Sequence, residues 1–114
     1  MLSKKNLLKK KGDIERVFKK GRGSKEDFLL LKAVRNSLSS SRFGIVVSQK
    51  VSKKAVLRNK IRRRLKEIIG AKIGKIKGGQ DCLLIALPGL ENKDFWEIEE
   101  IINKLFIKGN LWVQ

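Results

Sequence analysis

From Lys50 to Lys66, nine of seventeen residues are Lys or Arg and none is acidic. Overlapping this stretch and continuing past it, Leu57, Ile61, Leu65, Ile68 and Ile69 fall within one arc of about 120° at 100° per residue. A single long helix satisfies both patterns: an apolar stripe laid on a sheet, and cations in nearly every other direction. The pattern predicts a helix that begins at Lys53 or Lys54, with Ser52 as N-cap, and runs to Ile69 before Gly70 stops it. Arg58, Arg62 and Lys66 then line one border of the stripe, Lys60 and Arg64 the other, and Asn59 and Arg63 point outward. Like charges four residues apart weaken an isolated helix by about 0.2–0.5 kcal/mol per pair, so such a face needs a partner of opposite sign.

The rest of the composition narrows the partner. The chain of 114 residues carries a net charge of +17. Residues 1–80 hold 25 basic and 5 acidic side chains, while residues 81–114 hold 3 and 6. Solubility alone is served as well by mixed signs; crowding one sign suits a polyanion, with nucleic acid foremost. Apolar runs broken by charges exclude a membrane span, and 41% hydrophobic residues is too many for a disordered basic tail. No His is present, which removes histidine catalysis, and the lone Cys82, in an apolar strand, reads as a buried thiol. Met1 to Lys5 lead into Lys-rich sequence rather than an apolar leader, so a cytoplasmic setting is expected.

One domain, residues 1–114, is expected at this length. Residues 1–11 read as a basic arm free to stay mobile until a polyanion orders it. Asp13 is placed as the cap of a helix to about Lys20, with Ile14, Val17 and Phe18 on one face and Gly21 as the stop. A short strand near residues 22–26 is an option, and strands follow over residues 28–34 and 42–48, which are expected to pair with each other. Residues 71–80 read as a flexible basic loop with Gly78-Gly79 as a turn. Residues 81–87 form an apolar and therefore central strand ended by Pro88-Gly89. Asp94 and Glu97 have the spacing of a capping box for a last helix. Trp96 and Trp112 could stack on RNA, but core or edge packing is the favoured reading. The order helix, strand, strand, helix, strand, helix gives an α+β sandwich: a small mixed sheet of about four strands packed by helices.

These residues carry a resemblance. Ala55-Val56-Leu57-Arg58-Asn59-Lys60-Ile61-Arg62-Arg63 resembles the Arg-Asn-Arg signature helix of the protein subunit of bacterial ribonuclease P. Phe43 to Ser48 with Lys50 resembles the strand and crossover entering that helix, and Leu8 to Gly21 the family's opening helix. Two positions depart from the pattern: Lys60 stands where a second Arg is usual, keeping charge but losing the bidentate fork, and Ile14 stands where an aromatic is common.

The resemblance implies that a large catalytic RNA uses Mg²⁺ to remove the 5′ leader from precursor tRNA, with this chain as its partner. It implies that Lys50, Lys53, Lys54, Arg58, Asn59, Lys60, Arg62, Arg63 and Lys66 face the RNA. It also implies a cleft between the first helix and a sheet face, lined by Ile14, Phe18, Leu31 and Ser48, that receives the single-stranded leader. From spacing alone Phe18 fits either that cleft or the core. Mg²⁺ is expected to be held mainly by the RNA and substrate, and neither a membrane nor an obligatory protein partner is expected. The scattered acids agree, since a nuclease acting alone with two metals needs converging carboxylates. Two other readings stand beside this one: a structural RNA-binding protein such as a ribosomal protein, and a protein-only metallonuclease.

Overall fold

A computed structural model describes residues 2–113; Met1, at the head of the expected arm, and Gln114 lie outside the described residues. The elements in chain order are α1 (Lys11–Lys20), β1 (Arg22–Glu26), β2 (Leu29–Arg35), β3 (Arg42–Val46), α2 (Ala55–Lys72), β4 (Gln80–Ala86) and α3 (Phe95–Lys108). Single 3-10 turns lie at Lys4–Asn6, Ile73–Lys75 and Leu90–Asn92.

The four strands form one mixed sheet in the order β1-β2-β4-β3. β4 is antiparallel to β2 and parallel to β3. The expected pairing of residues 28–34 with 42–48 is therefore incorrect, because β4 lies between those strands. Its apolar run Cys82 to Leu84 is fully buried, which requires neighbours on both sides, and the α2 crossover lays it beside β3.

Strand alternation gives the sheet two unlike faces. Leu29, Leu31, Cys82, Leu84 and Phe43 point into the main core with the stripes of α2 and α3. The opposite face carries a small cluster of Leu8, Val17 and Leu83, bordered by Ile14, Val34, Val46 and Ile85, beneath α1. In α2 the buried stripe is Ile61, Leu65, Ile68 and Ile69, whereas Leu57 is 38% exposed. The helix passes the expected stop at Gly70, with Ile73 packed on the core beyond it and Lys72 paired to Glu99 at 3.4 Å. These attachments outweigh the roughly 1 kcal/mol helix cost of one glycine.

Several ends differ from their sequence reading. Lys10, not Asp13, is the N-cap of α1, and Asp13 sits in the first turn, where a carboxylate still suits the helix dipole. Lys54, not Ser52, is the N-cap of α2; the Ser52 hydroxyl instead accepts from the Lys54 amide at 3.2 Å. The capping box of α3 is present, with the Glu97 amide donating to Asp94 at 2.8 Å and the Asp94 amide to Glu97 at 3.1 Å.

Residues 2–8 of the expected arm are seated on the domain: Leu2, Asn6 and Leu8 are buried, and the Leu8 amide donates to the Phe43 carbonyl at 2.9 Å. Apolar Leu2 and Leu8 between the lysines supply the burial that a purely cationic arm lacks. Residues 71–80 are likewise tied down, Lys77 donating from its amide to the Leu111 carbonyl at 2.7 Å.

Candidate nucleic-acid interface

The cations of α2 stand on the outer side of its buried stripe. Asn59, Lys60 and Arg63 are exposed, and Arg58, Arg62, Arg64 and Lys66 flank the stripe half-buried. Among the described residues, no carboxylate lies within 4.0 Å of any basic side chain from Lys50 to Lys66. An uncompensated field of this density is suited to phosphate.

Two of these side chains also have local partners. Arg58 donates to the carbonyls of Ser52 and Lys53, both at 3.0 Å. Arg62 donates to Asn59 Oδ1 at 2.7 Å and to the Val47 carbonyl at 3.2 Å. They brace the loop that joins β3 to α2 and so fix where Lys50, Lys53 and Lys54, all exposed on that loop, present their charges. Lys60, Arg63, Arg64 and Lys66 make no side-chain hydrogen bond among the described residues and are the freest to meet a partner.

The second feature is the face beneath α1. Phe18 is 47% exposed, which settles the choice between core and surface for its ring. Lys32 stands with its ammonium 4.8 Å from the ring centroid and donates to the Phe18 carbonyl at 2.8 Å. Ile14, half-buried, borders the small cluster. Ser48 is exposed just beyond β3, its hydroxyl accepting from the Lys50 amide at 3.2 Å.

Leu31 does not belong to this face: it is 1% exposed and packed in the main core. The expectation erred by one residue. Leu29, Leu30 and Leu31 leave strand parity undetermined, and the register pairs Leu30 with Ile85 and Lys32 with Leu83 on the α1 side. Leu30, Lys32, Val46 and Ile85 are therefore the residues that sequence reasoning missed. The signal lay in Lys32, whose charge could not face the core.

A family model described as Ribonuclease P matches residues 2–109. A protein named ribonuclease P protein component from Alkaliphilus metalliredigens is 36% identical over 106 residues, 93% of this chain and 95% of that one. The chain belongs to the ribonuclease P protein family. A component of the same name from Syntrophomonas wolfei is 31% identical over 114 residues, covering 100% of this chain and 95% of its own. Among solved structures, the RNase P protein of Staphylococcus aureus superposes with a TM-score of 0.88 at 26% identity, covering 95% of this chain and 98% of that one. The RNase P protein of Thermotoga maritima gives 0.78 at 32% identity, over 87% and 94% of the two chains.

Two carboxylates of this ribonuclease P family member are committed to structural ion pairs. Asp81, with a fully buried side chain, accepts from Arg42 at 2.9 and 2.7 Å, from Arg16 at 2.7 Å and from Asn36 at 2.8 Å. Burial pushes this carboxyl up, but the hydrogen bonds from Arg42 and Asn36 outweigh it and hold its pKa below the ordinary value. Asp13 lies 3.5 Å from Arg42. Among the described residues no three Asp, Glu, Cys or His side chains converge in a way that could hold a metal ion. An all-protein cage of converging carboxylates for Mg²⁺ is therefore absent among the described residues. Cys82 is buried, and that burial pushes its thiol far up, away from nucleophilic use. No described helix is long and apolar enough to cross a membrane.

Proposed function

We propose that this chain is the RNA-binding protein partner of a ribonuclease P catalytic RNA. It assists that RNA in removing the 5′ leader from precursor tRNA by Mg²⁺-dependent hydrolysis in the cytoplasm. The observation that carries the reading is the α2 surface, a row of exposed and half-buried cations without carboxylate partners among the described residues, on a chain of this family. Lys60, Arg63 and Lys66, with Lys50, Lys53 and Lys54 on the braced loop, neutralise phosphates of the catalytic RNA, and Asn59 reads a base edge or sugar hydroxyl. The face beneath α1 takes the single-stranded leader, a base stacking on Phe18 while Lys32 meets the adjoining phosphate.

Chemistry at the scissile bond belongs to the RNA, whose phosphates together with those of the substrate hold Mg²⁺. This chain contributes charge neutralisation and substrate positioning, which matter most when Mg²⁺ is scarce. The test is reconstitution. Added to a bacterial ribonuclease P RNA at low Mg²⁺, the chain is expected to accelerate precursor tRNA cleavage, and alone with Mg²⁺ it is expected to cleave nothing. Cleavage by the protein alone, or no effect on the RNA, would refute the proposal.

A further inference from the structure

Beyond the end of α3, where β2 ends and the last turn of α1 meets the sheet, a cavity of about 900 Å³ opens. Its floor is Ala33 and Leu31, and its walls carry Lys20, Arg22, Arg35 and Lys77. The register makes the cavity: Arg22 pairs with Ala33 and Arg35 with Gln80, so both guanidinium stems rise from the same face around a floor residue that offers only a methyl group. Among the described residues no carboxylate lines it. Lys108 at the rim is engaged by Glu26, but the side chains of Lys20, Arg22, Arg35 and Lys77 make no ion pair among the described residues.

Cations near a helix C-terminus can serve the helix itself. Here that explanation is weak, because the final carbonyls of α3 are already occupied: Leu105 accepts from Gly109, Phe106 from Leu111 and Ile107 from Asn110, at 2.9 to 3.1 Å. Nor is this collapsed surface. The Lys77 backbone is fixed on both sides, its amide donating to Leu111 and its carbonyl accepting from the Ser41 hydroxyl. Four cations held around one concavity, without an ion-pair partner among the described residues, repel each other and favour an entering anion.

We propose that this cavity is a second RNA site, taking consecutive phosphates of a backbone segment of the catalytic RNA. The site rests on the RNA-partner reading above. It is assigned to the catalytic RNA because its floor, Leu31 and Ala33, belongs to the sheet face opposite the Leu30 and Lys32 face given to the leader.

The test is a salt titration of binding between the full chain and a transcribed bacterial ribonuclease P RNA. Arg22→Ala with Arg35→Ala is expected to weaken binding about fivefold or more and to lower the log–log salt slope by about 1.4 to 1.8, the share of two phosphates. Arg22→Lys with Arg35→Lys is expected to restore the slope, and unchanged melting curves would show that the fold is intact. An unchanged slope in the double Ala variant overturns the second site. If Lys60→Ala with Arg63→Ala lowers the slope in the same assay, the RNA-partner reading survives that failure; if neither pair lowers it, both fall. A slope lowered only when precursor tRNA replaces the catalytic RNA overturns the assignment to the catalytic RNA.

Discussion

Arg42 on β3 and Asp81 on β4 are register partners whose side chains meet in a two-point ion pair, Nε and Nη2 donating at 2.9 and 2.7 Å to the two carboxylate oxygens. Arg16 joins the same carboxylate from α1 at 2.7 Å. One buried charge thus pins the first helix to the two strands beneath it, and Asn36, also bonded to Asp81, adds the loop between β2 and β3.

Asp81→Asn leaves half-buried Arg16 without an anion and Arg42 with only Asp13, at 3.5 Å. It is expected to cost about 2 to 3 kcal/mol, below the range for fully buried pairs because Arg16 and Arg42 reach water. The same group sets an acid limit. Its folded pKa lies below the ordinary 3.8, so between the two values the unfolded chain binds more protons. Stability from Asp81 is therefore complete above about pH 4 and drains as pH falls through the folded pKa. Urea titrations from pH 7 downward should show the gap between native chain and variant constant at first, then closing in acid.

The helices were legible because their signals are local: the capping box at Asp94 and Glu97, and the stripe of Ile61, Leu65, Ile68 and Ile69. What was not legible is set by long-range pairing. β4 inserts between β2 and β3, and no local pattern in residues 28–48 announces a partner some forty residues away. The same gap displaced the cleft from Leu30 to Leu31, since three consecutive leucines carry no parity. Trp96 is a third case: read as core or edge packing, it is 72% exposed, its ring edge-on to Phe95 at 5.4 Å. The helix stripe at Ile98, Ile101, Ile102, Leu105 and Phe106 leaves it outside, whereas Trp112 does pack, against Phe106.

Phe18→Ala removes a half-exposed ring and little core, so the melting temperature should change only slightly. If the ring stacks on a leader base, affinity for precursor tRNA should fall by about 1 to 3 kcal/mol while affinity for mature tRNA holds. Binding assays on both substrates with the reconstituted holoenzyme decide it; equal losses would remove Phe18 from the leader site.

Gly44 sits where the seated N-terminal segment runs parallel beside β3. A Cβ there would stand 2.8 Å from Leu83 Cδ2 and 3.3 Å from the Leu8 carbonyl. Gly44→Ala is expected to cost about 1 to 3 kcal/mol by overpacking. It should also release residues 2–8 first, so hydrogen exchange at the Leu8 amide, bonded to the Phe43 carbonyl, should speed up by more than exchange within β4.

Arg58 and Arg63 lie on the same helix, and the two substitutions separate bracing from binding. Arg58→Ala deletes the hydrogen bonds to the Ser52 and Lys53 carbonyls, so it should loosen the loop before α2 as well as remove a charge. Arg63→Ala removes an exposed charge that has no side-chain hydrogen bond among the described residues. Its effect should be confined to RNA: the log–log salt slope falls by about 0.7 to 0.9 for one phosphate contact, with thermal stability unchanged. Arg58→Ala should lower both affinity and melting temperature. Arg63→Lys should recover most of the lost slope, because a phosphate contact of this kind needs a cation first and a planar fork second. A slope that Arg63→Ala leaves untouched would place the RNA on another side of α2.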